Sequence, residues 1–252
     1  MKVGSWEFIE LVQVDSTTSF LKREIMAGKL DLAAVTAGSQ TAGRGRLSRK
    51  WLSPPGGLYM TVSVSPNDPS KVPVIAHVAC AGLAMADALA HVAGIEARLK
   101  WPNDLLVKDR KLGGILSEMV SGPRGPRLLI GIGINIESAP SLENAAYQST
   151  SIAREAGTPL PLARDLAKNF LFKLHAWLDL MKKNGYVVIA EHWKALSATI
   201  GRNVTVIAGN EKIEGRAMDL TKEFELVVET GQGKVNVGVG DCLHMNHQRR
   251  CR

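Results

Sequence analysis

Two apolar stretches, residues 113–120 and 128–136, decide most of what this chain can fold into. Both are short and nearly continuous in apolar residues, so they read as central strands of a sheet. Pro123, Gly125 and Pro126 lie between them and make a turn, which predicts an antiparallel hairpin. Both strands carry internal glycines, Gly113 and Gly114 in the first and Gly131 and Gly133 in the second. Glycine weakens a strand unless a bulge is needed or something must approach the backbone closely. A flat ligand lying on the sheet is one such reason. A β-bulge, or small residues packed under a helix, are the others.

The flanking sequence supplies more strands and several helices. Residues 6–12 read as a strand, after which Asp15 or Ser16 caps a helix over 17–27, with Gly28 as its stop. Residues 32–37 and 58–64 read as strands separated by a loop over 38–51 and by Pro54-Pro55-Gly56-Gly57. An alanine-rich helix is expected over 71–93, and strands over 97–100 and 104–108 flank Trp101-Pro102-Asn103. Residues 162–182 and 187–196 have the spacing of amphipathic helices that cover a sheet. Strands and helices do not alternate strictly, so the expected class is α+β, with a mixed, largely antiparallel sheet flanked by helices. Helical spacing ends near Ile200, and strands are expected at 204–208, 212–218, 226–229 and 235–238. That suits a small SH3-like C-terminal β-barrel. The expected domains are 1–199 and 200–247, followed by a disordered basic tail over 248–252.

Composition narrows the setting. Hydrophobic residues make up 45% and charged residues 22% of the 252, as in an ordinary soluble enzyme. The most apolar segment, 72–94, is broken by His77, Gly82, Asp87 and His91, so no membrane span is expected, and MKVGSWEFIE does not read as a signal peptide. Cys80, Cys242 and Cys251 are scattered and odd in number, which suits a reducing cytoplasm. The net charge is +7, and its excess sits beside glycines: Arg44, Arg46, Arg49 and Lys50 in one run, and five basic against two acidic residues over 98–111. From Ile200 onward eight basic residues face seven acidic ones. This favours a phosphate-bearing small molecule over a duplex. There is no GxxxxGK[ST] P-loop, no HExxH, no His/Cys cluster at metal-ligand spacing and no dinucleotide fingerprint.

Four motifs can carry chemistry. Gly43-Arg44-Gly45-Arg46 combines a bendable backbone with guanidinium forks suited to carboxylate and phosphate; alone it reads equally as a solvated or nucleic-acid-facing loop. Lys100-Trp101-Pro102-Asn103-Asp104 places short polar side chains at a chain break, and alone reads as a turn with a core tryptophan. Lys111 opens the first glycine-bearing strand, and Asn135 closes the second.

In this order and at these separations, GRGR with Trp51 eight residues after Gly43, KWPND, KLGGIL with Glu118, and GIGIN resemble the catalytic domain of the biotin–protein ligases. The resemblance runs from about Trp6 to Leu196, and residues 200–245 are similar to that family's small C-terminal barrel. It implies the short form of the family, without an N-terminal DNA-binding domain, and a class II aminoacyl-tRNA synthetase/biotin synthetase-like fold. It also implies a two-step activity, in which biotin and ATP give biotinyl-AMP and pyrophosphate, and the biotinyl group then passes to a lysine of a biotin carboxyl carrier protein. Mg²⁺ is expected on the nucleotide with no protein metal ligand, and a cytoplasmic homodimer that binds neither DNA nor membrane is the expected form. By position, Arg46, Lys111 and Asp104 match the catalytic set, with Asp104 as proton acceptor in the second step. Ser16, Thr17, Thr18, Gln40, Arg44, Gly45, Arg46, Lys111, Gly113 and Gly114 match the biotin side. Trp51, Lys100, Asn103 and Asn135 match the nucleotide side. Two positions depart from the family pattern: Thr18 stands where asparagine is frequent, and Ser48 where glycine is frequent. The alternatives are a lipoate–protein ligase, which shares the adenylate chemistry, and a nucleic-acid-binding module built on the barrel and tail.

Overall fold

A computed structural model describes residues 1–66, 71–140, 148–156 and 159–245. The basic tail read from the sequence lies outside the described residues. The first eight strands are β1 (Lys2–Val3), β2 (Trp6–Val14), β3 (Ala33–Gln40), β4 (Gly57–Val64), β5 (Arg98–Lys100), β6 (Asp104–Val107), β7 (Arg110–Gly122) and β8 (Gly125–Asn135). They form one sheet in the order β1-β2-β3-β4-β8-β7-β6-β5. Among the described residues, β2 and β3 alone of these strands pair in parallel, joined by helix α1 (Thr17–Met26); the other pairs are antiparallel. The mixed, largely antiparallel sheet expected from sequence is therefore present, with the glycine-bearing hairpin β7–β8 inside it. The hairpin is longer than expected. Gly122 faces Gly125 across a two-residue turn, and Pro126 pairs with Ser121 inside the strand rather than sitting in the turn. Gly125 supports the tight return with a φ of +96°.

Helices α2 (Val74–Ala93), α4 (Ala163–Asn184) and α5 (Val187–Ala195) pack over one face in a core shared with Leu58, Met60, Ile115 and Ile132. Helix α1 covers the other face with Leu21 and Ile25 against Val35, Val120 and Leu129. The alanine-rich helix expected over 71–93 is present as α2, and its polar positions do not break its apolar length, contrary to the expectation from sequence. It is one unbroken helix, long and apolar enough to cross a membrane, but 72% of its most apolar window is buried in the protein. Its alanines let it lie close to the sheet, and a Cβ at Gly82 would touch Leu99 at 3.4 Å. Asp87 is satisfied by the Trp177 indole at 2.8 Å.

The C-terminal unit contains β9 (Asn203–Ala208), β10 (Glu211–Leu220), β11 (Leu226–Thr230), β12 (Gly233–Val237) and β13 (Asp241–His244). It is a five-stranded antiparallel sheet in the order β12-β11-β10-β9-β13, and among the described residues no pairing joins its two edge strands into a closed barrel. Strand β13 and the short helix α3 (Ile152–Ala156) were not expected from sequence. This unit does not stand apart. Val204, Val206, Leu226 and Val228 belong to the same core cluster as α2. Trp101 fastens the two units: its indole donates to the Phe224 carbonyl at 3.0 Å, and its backbone N–H donates to Thr199 Oγ1 at 3.0 Å.

A continuous core predicts joint unfolding. Leu226→Ala, at a fully buried position, is expected to cost about 2–5 kcal/mol and to leave a single urea transition seen by both tryptophan fluorescence and circular dichroism. Two separated transitions would show that the C-terminal sheet folds independently.

Candidate active site

A cleft of about 600 Å³ opens between the glycine-bearing strands, the arginine loop and β13. Its floor is set by a register fault. Asp104 faces Gly114 and Leu105 faces Gly113, but Leu106 faces Lys111, so β7 carries one extra residue there. Strict alternation would have turned Lys111 to the other face; the bulge brings it round to the cleft. Its Nζ lies 2.7 Å from Asp104 Oδ1. Lys100, from the neighbouring strand β5, lies 3.5 Å from the other oxygen of the same carboxylate.

This cluster is nearly closed to solvent. The side chains of Lys100 and Asp104 are 5% and 12% exposed, and Lys111 is 29% exposed. Burial favours the neutral acid at Asp104, but Lys111 and Lys100 together outweigh it and hold the carboxyl below its usual range. Burial also draws the Lys100 ammonium below the usual lysine range, against the pull of Asp104. The result is one fixed anion and two cations, with Lys111 the more open of the two.

The arginine loop closes one side. Gly45 N–H donates to the Arg49 carbonyl at 2.7 Å, and Trp51 N–H donates to the Gly43 carbonyl at 3.0 Å. A Cβ at Gly43 would lie 2.4 Å from the Trp51 carbonyl, so this return needs glycine. Leu47 and Ser48 have φ of +52° and +59°, which explains why glycine is the easier residue at the Ser48 position. Each arginine is tied down by the protein itself. Arg44 pairs with Glu118 at 2.8 Å, and Glu118 also takes Lys22 of α1. Both terminal nitrogens of Arg46 donate to the Gly240 carbonyl at 3.0 Å, and one reaches Asn103 Oδ1 at 3.3 Å. Arg49 pairs with Asp241. The C-terminal sheet thus helps build the cleft, through Gly240 and β13.

The far end is a hydroxyl and amide network. Ser16 caps α1, as expected, by accepting from Ser19 N–H. The Thr17 and Thr18 hydroxyls meet Thr61 Oγ1 at 2.8 and 2.9 Å. Gln40 Oε1 accepts from Thr17 N–H at 2.9 Å, while its amide donates to Ser53 at 2.8 Å. Thr18 fills its space closely, since a Cβ at Gly131 would come within 2.9 Å of its hydroxyl. Opposite, the Trp51 indole lies on β8. A Cβ at Gly133 would sit 2.5 Å from that ring, so glycine is required under it. Lys111 Nζ is 5.5 Å from the ring centroid, a cation–π distance. Among the described residues, the buried Trp51 Nε1 donor has no hydrogen-bond partner.

Of the residues singled out in the sequence, Ser16, Thr17, Thr18, Gln40, Arg44, Gly45, Arg46, Trp51, Lys100, Asn103, Asp104, Lys111, Gly114 and Asn135 all line this cleft. Gly113 does not. Its Cβ direction points at Ile134 Cδ1, 2.4 Å away, on the packed side of the strand, so its glycine serves packing and the bulge. Sequence reading missed Asp241, Cys242, Ser149 and the buried Thr61. Asp241, Cys242 and Ser149 lie outside every strand expected from sequence, and Thr61 lies in the expected strand over 58–64 but reaches the network only through the tertiary fold. Among the described residues, no group of three or more His, Cys, Asp or Glu side chains gathers as a metal site.

Comparison with known proteins agrees with this geometry. Residues 11–135 match the biotin/lipoate A/B protein ligase family, and residues 199–245 match the biotin protein ligase C-terminal domain. The chain is 32% identical to a biotin–[acetyl-CoA-carboxylase] ligase of Mycobacterium tuberculosis, over 96% of this chain and 91% of that one. It is 34% identical to the bifunctional ligase/repressor BirA of Escherichia coli, in a match that covers 86% of this chain and 67% of the relative. A biotin protein ligase from Aquifex aeolicus, solved with biotin and ATP, superposes with a TM-score of 0.79 at 27% identity, over 94% of this chain and 97% of that one. The Leishmania major enzyme, solved with biotinyl-5-AMP, gives a TM-score of 0.65 at 26% identity, over 95% and 98%.

The charge cluster makes a titration prediction. A carboxyl held below its unfolded value stabilises the fold above that value, about 3.8, and the contribution is lost as pH falls through the folded pKa. Lys111→Met should therefore move the Asp104 titration, followed by carboxyl ¹³C NMR, upward towards the ordinary range. It should also shrink the stability lost on acidification. An unchanged Asp104 titration would mean that Lys111 does not hold this carboxylate.

Proposed function

The chain belongs to the biotin/lipoate A/B protein ligase family, and from that premise we propose that it is a biotin–protein ligase. The observation that carries this is the convergence of all four motifs on one cleft around the Lys100–Asp104–Lys111 cluster. In the first step a biotin carboxylate oxygen attacks the α-phosphorus of ATP. A P–O bond forms, the bond to the bridging oxygen breaks, and pyrophosphate leaves. Two unit anions about 4 Å apart repel by roughly 4 kcal/mol at an effective dielectric near 20, so cations must be fixed in place beforehand. Lys111 and Arg46 are the residues we assign to the carboxylate and phosphate. Arg44 and the Ser16, Thr17, Thr18, Gln40 network hold the acid, with Gly45 and Gly114 allowing close approach. Trp51, Lys100, Asn103 and Asn135 serve the nucleotide, and Mg²⁺ is the counter-ion of its triphosphate.

In the second step an acceptor lysine, as its neutral amine, attacks the acyl carbon, a C–N bond forms, AMP leaves with the C–O electrons, and the proton lost from the nitrogen passes to solvent. The family resemblance pointed to Asp104 as the proton acceptor here. With two ammonium partners and a lowered pKa, Asp104 is a weak base as it stands, and we assign it first the task of orienting Lys111. The acceptor is the biotin carboxyl carrier protein of a biotin-dependent carboxylase, in keeping with relatives that are biotin–[acetyl-CoA-carboxylase] ligases. The same reading gives a cytoplasmic homodimer without a DNA or membrane partner. Among the described residues, Cys80 and Cys242 are free buried thiols, which supports a reducing compartment, and the pairing of Arg44, Arg46 and Lys111 inside the molecule supports a small anionic ligand.

Incubation with biotin, Mg-ATP and a carboxyl carrier domain should raise the carrier's intact mass by one biotinyl group. Lipoate in place of biotin should leave it unmodified. Modification with lipoate alone would transfer the assignment to the lipoate branch of the family.

A further inference from the structure

A second buried carboxylate lies just behind the cleft. The Glu155 side chain is 1% exposed, pairs with Arg110 at 2.5 Å and Lys108 at 3.3 Å, and accepts from the Thr150 hydroxyl. Burial works against its ionisation, while Thr150, Arg110 and Lys108 outweigh burial and keep it charged. Buried ion pairs are often no better for stability than well-packed apolar residues, so stability alone does not account for such a group. Its partners suggest another reason, because each lies in a segment that carries a cleft residue.

Arg110 immediately precedes Lys111 in β7. Lys111 is gripped through its backbone: its N–H donates to the Gln148 carbonyl at 2.8 Å, and its carbonyl accepts from Thr150 N–H at 2.8 Å. The Thr150 carbonyl accepts from Asn135 Nδ2 at 3.0 Å. A carbonyl can only accept, so the Asn135 amide is turned with its nitrogen to Thr150, and its Oδ1 is left as the acceptor for the cleft. Thr150 is therefore bonded to Lys111, to Asn135 and, by its hydroxyl, to Glu155. Helix α3, which carries Glu155, is itself seated, with Ile152 fully buried and Ala153 N–H donating to the Ile136 carbonyl at 2.8 Å. The turn before Arg110 is held as well. Lys108 and Asp109 have φ of +48° and +62°, unusual for such residues, and pair with Glu155 and with Arg202 respectively.

We propose that Glu155 is a positioning residue for adenylate formation, which through Thr150 and Arg110 fixes both the backbone under Lys111 and the amide direction of Asn135. This rests on the ligase reading above. Glu155 does not touch substrate; it sets two residues that do. The link through the Thr150 hydroxyl makes the two positions one unit, so removing either link should have the same consequence as removing both.

The test is biotin-dependent pyrophosphate release with ATP varied, for the native chain, Glu155→Gln, Thr150→Val and the double variant, each checked for folding by circular dichroism. Each single variant is expected to lower kcat/KM for ATP about tenfold with a raised ATP KM. The double variant should be no worse than the weaker single one. If Glu155→Gln does not fold, Thr150→Val, which keeps the shape of the side chain, carries the test. A purely structural role would lower the active fraction, and so kcat, with the ATP KM unchanged. Folded variants with the native ATP KM, or additive losses in the double variant, overturn the proposal. No biotin-dependent release from the native chain overturns the ligase reading and this inference with it.

Discussion

Burying Asp104 between Lys100 and Lys111 sets the terms for the rest of the cleft. A carboxylate that is 12% exposed needs compensation, and the two ammonium groups supply it at 3.5 and 2.7 Å. The same contacts fix the cations before any ligand arrives, so no reorganisation is needed when a second anion enters. The cost of assembling like charges is met by the fold. Lys100 is held in a strand that packs under α2, and Lys111 is held by a bulge and by the strap of residues 148–150.

Two further features follow from that centre. The glycines of β7 and β8 clear the face above it. Gly133 makes room for the Trp51 ring, and Gly131 for the Thr18 hydroxyl. The C-terminal sheet closes the rim, because the Gly240 carbonyl and Asp241 hold Arg46 and Arg49. Only a residue without a Cβ serves at Gly240, where a methyl would meet Val206 at 2.8 Å and the Ile207 carbonyl at 2.9 Å. The second unit is thus part of the site's wall and shares the first unit's core.

Much of this was legible in the amino-acid order. The β7–β8 hairpin could be read because apolar runs and turn residues are local signals, and the Ser16 cap because capping chemistry is local too. The four motifs, with the positions that the family resemblance added, located fourteen of the residues that line the cleft. Three things could not be read. A β-bulge was one reading of Gly113 and Gly114, but its position, and so the side of the strand on which Lys111 emerges, leaves no periodic trace, since one extra residue looks the same as a strand one residue longer. Gly113 and Gly114 are neighbours in sequence but face opposite sides of a strand, so their roles differ although their residue type does not. Strand β13 is short and unpatterned, and its place beside the arginine loop depends on pairing with β9 across the C-terminal sheet. The helix α2 was legible too, but its polar positions made the segment read as too broken for a membrane-spanning length, whereas it is long and apolar enough for one and is buried in the core instead.

The central claim is that a pre-fixed lysine at this cluster, on the protein side alone, activates a carboxylate against ATP. Exchange of labelled pyrophosphate into ATP measures that step without any acceptor protein. The account predicts exchange that requires biotin and is lost in Lys111→Ala while the far-ultraviolet circular dichroism stays native. Exchange without biotin, or undiminished exchange in a folded Lys111→Ala variant, would contradict it.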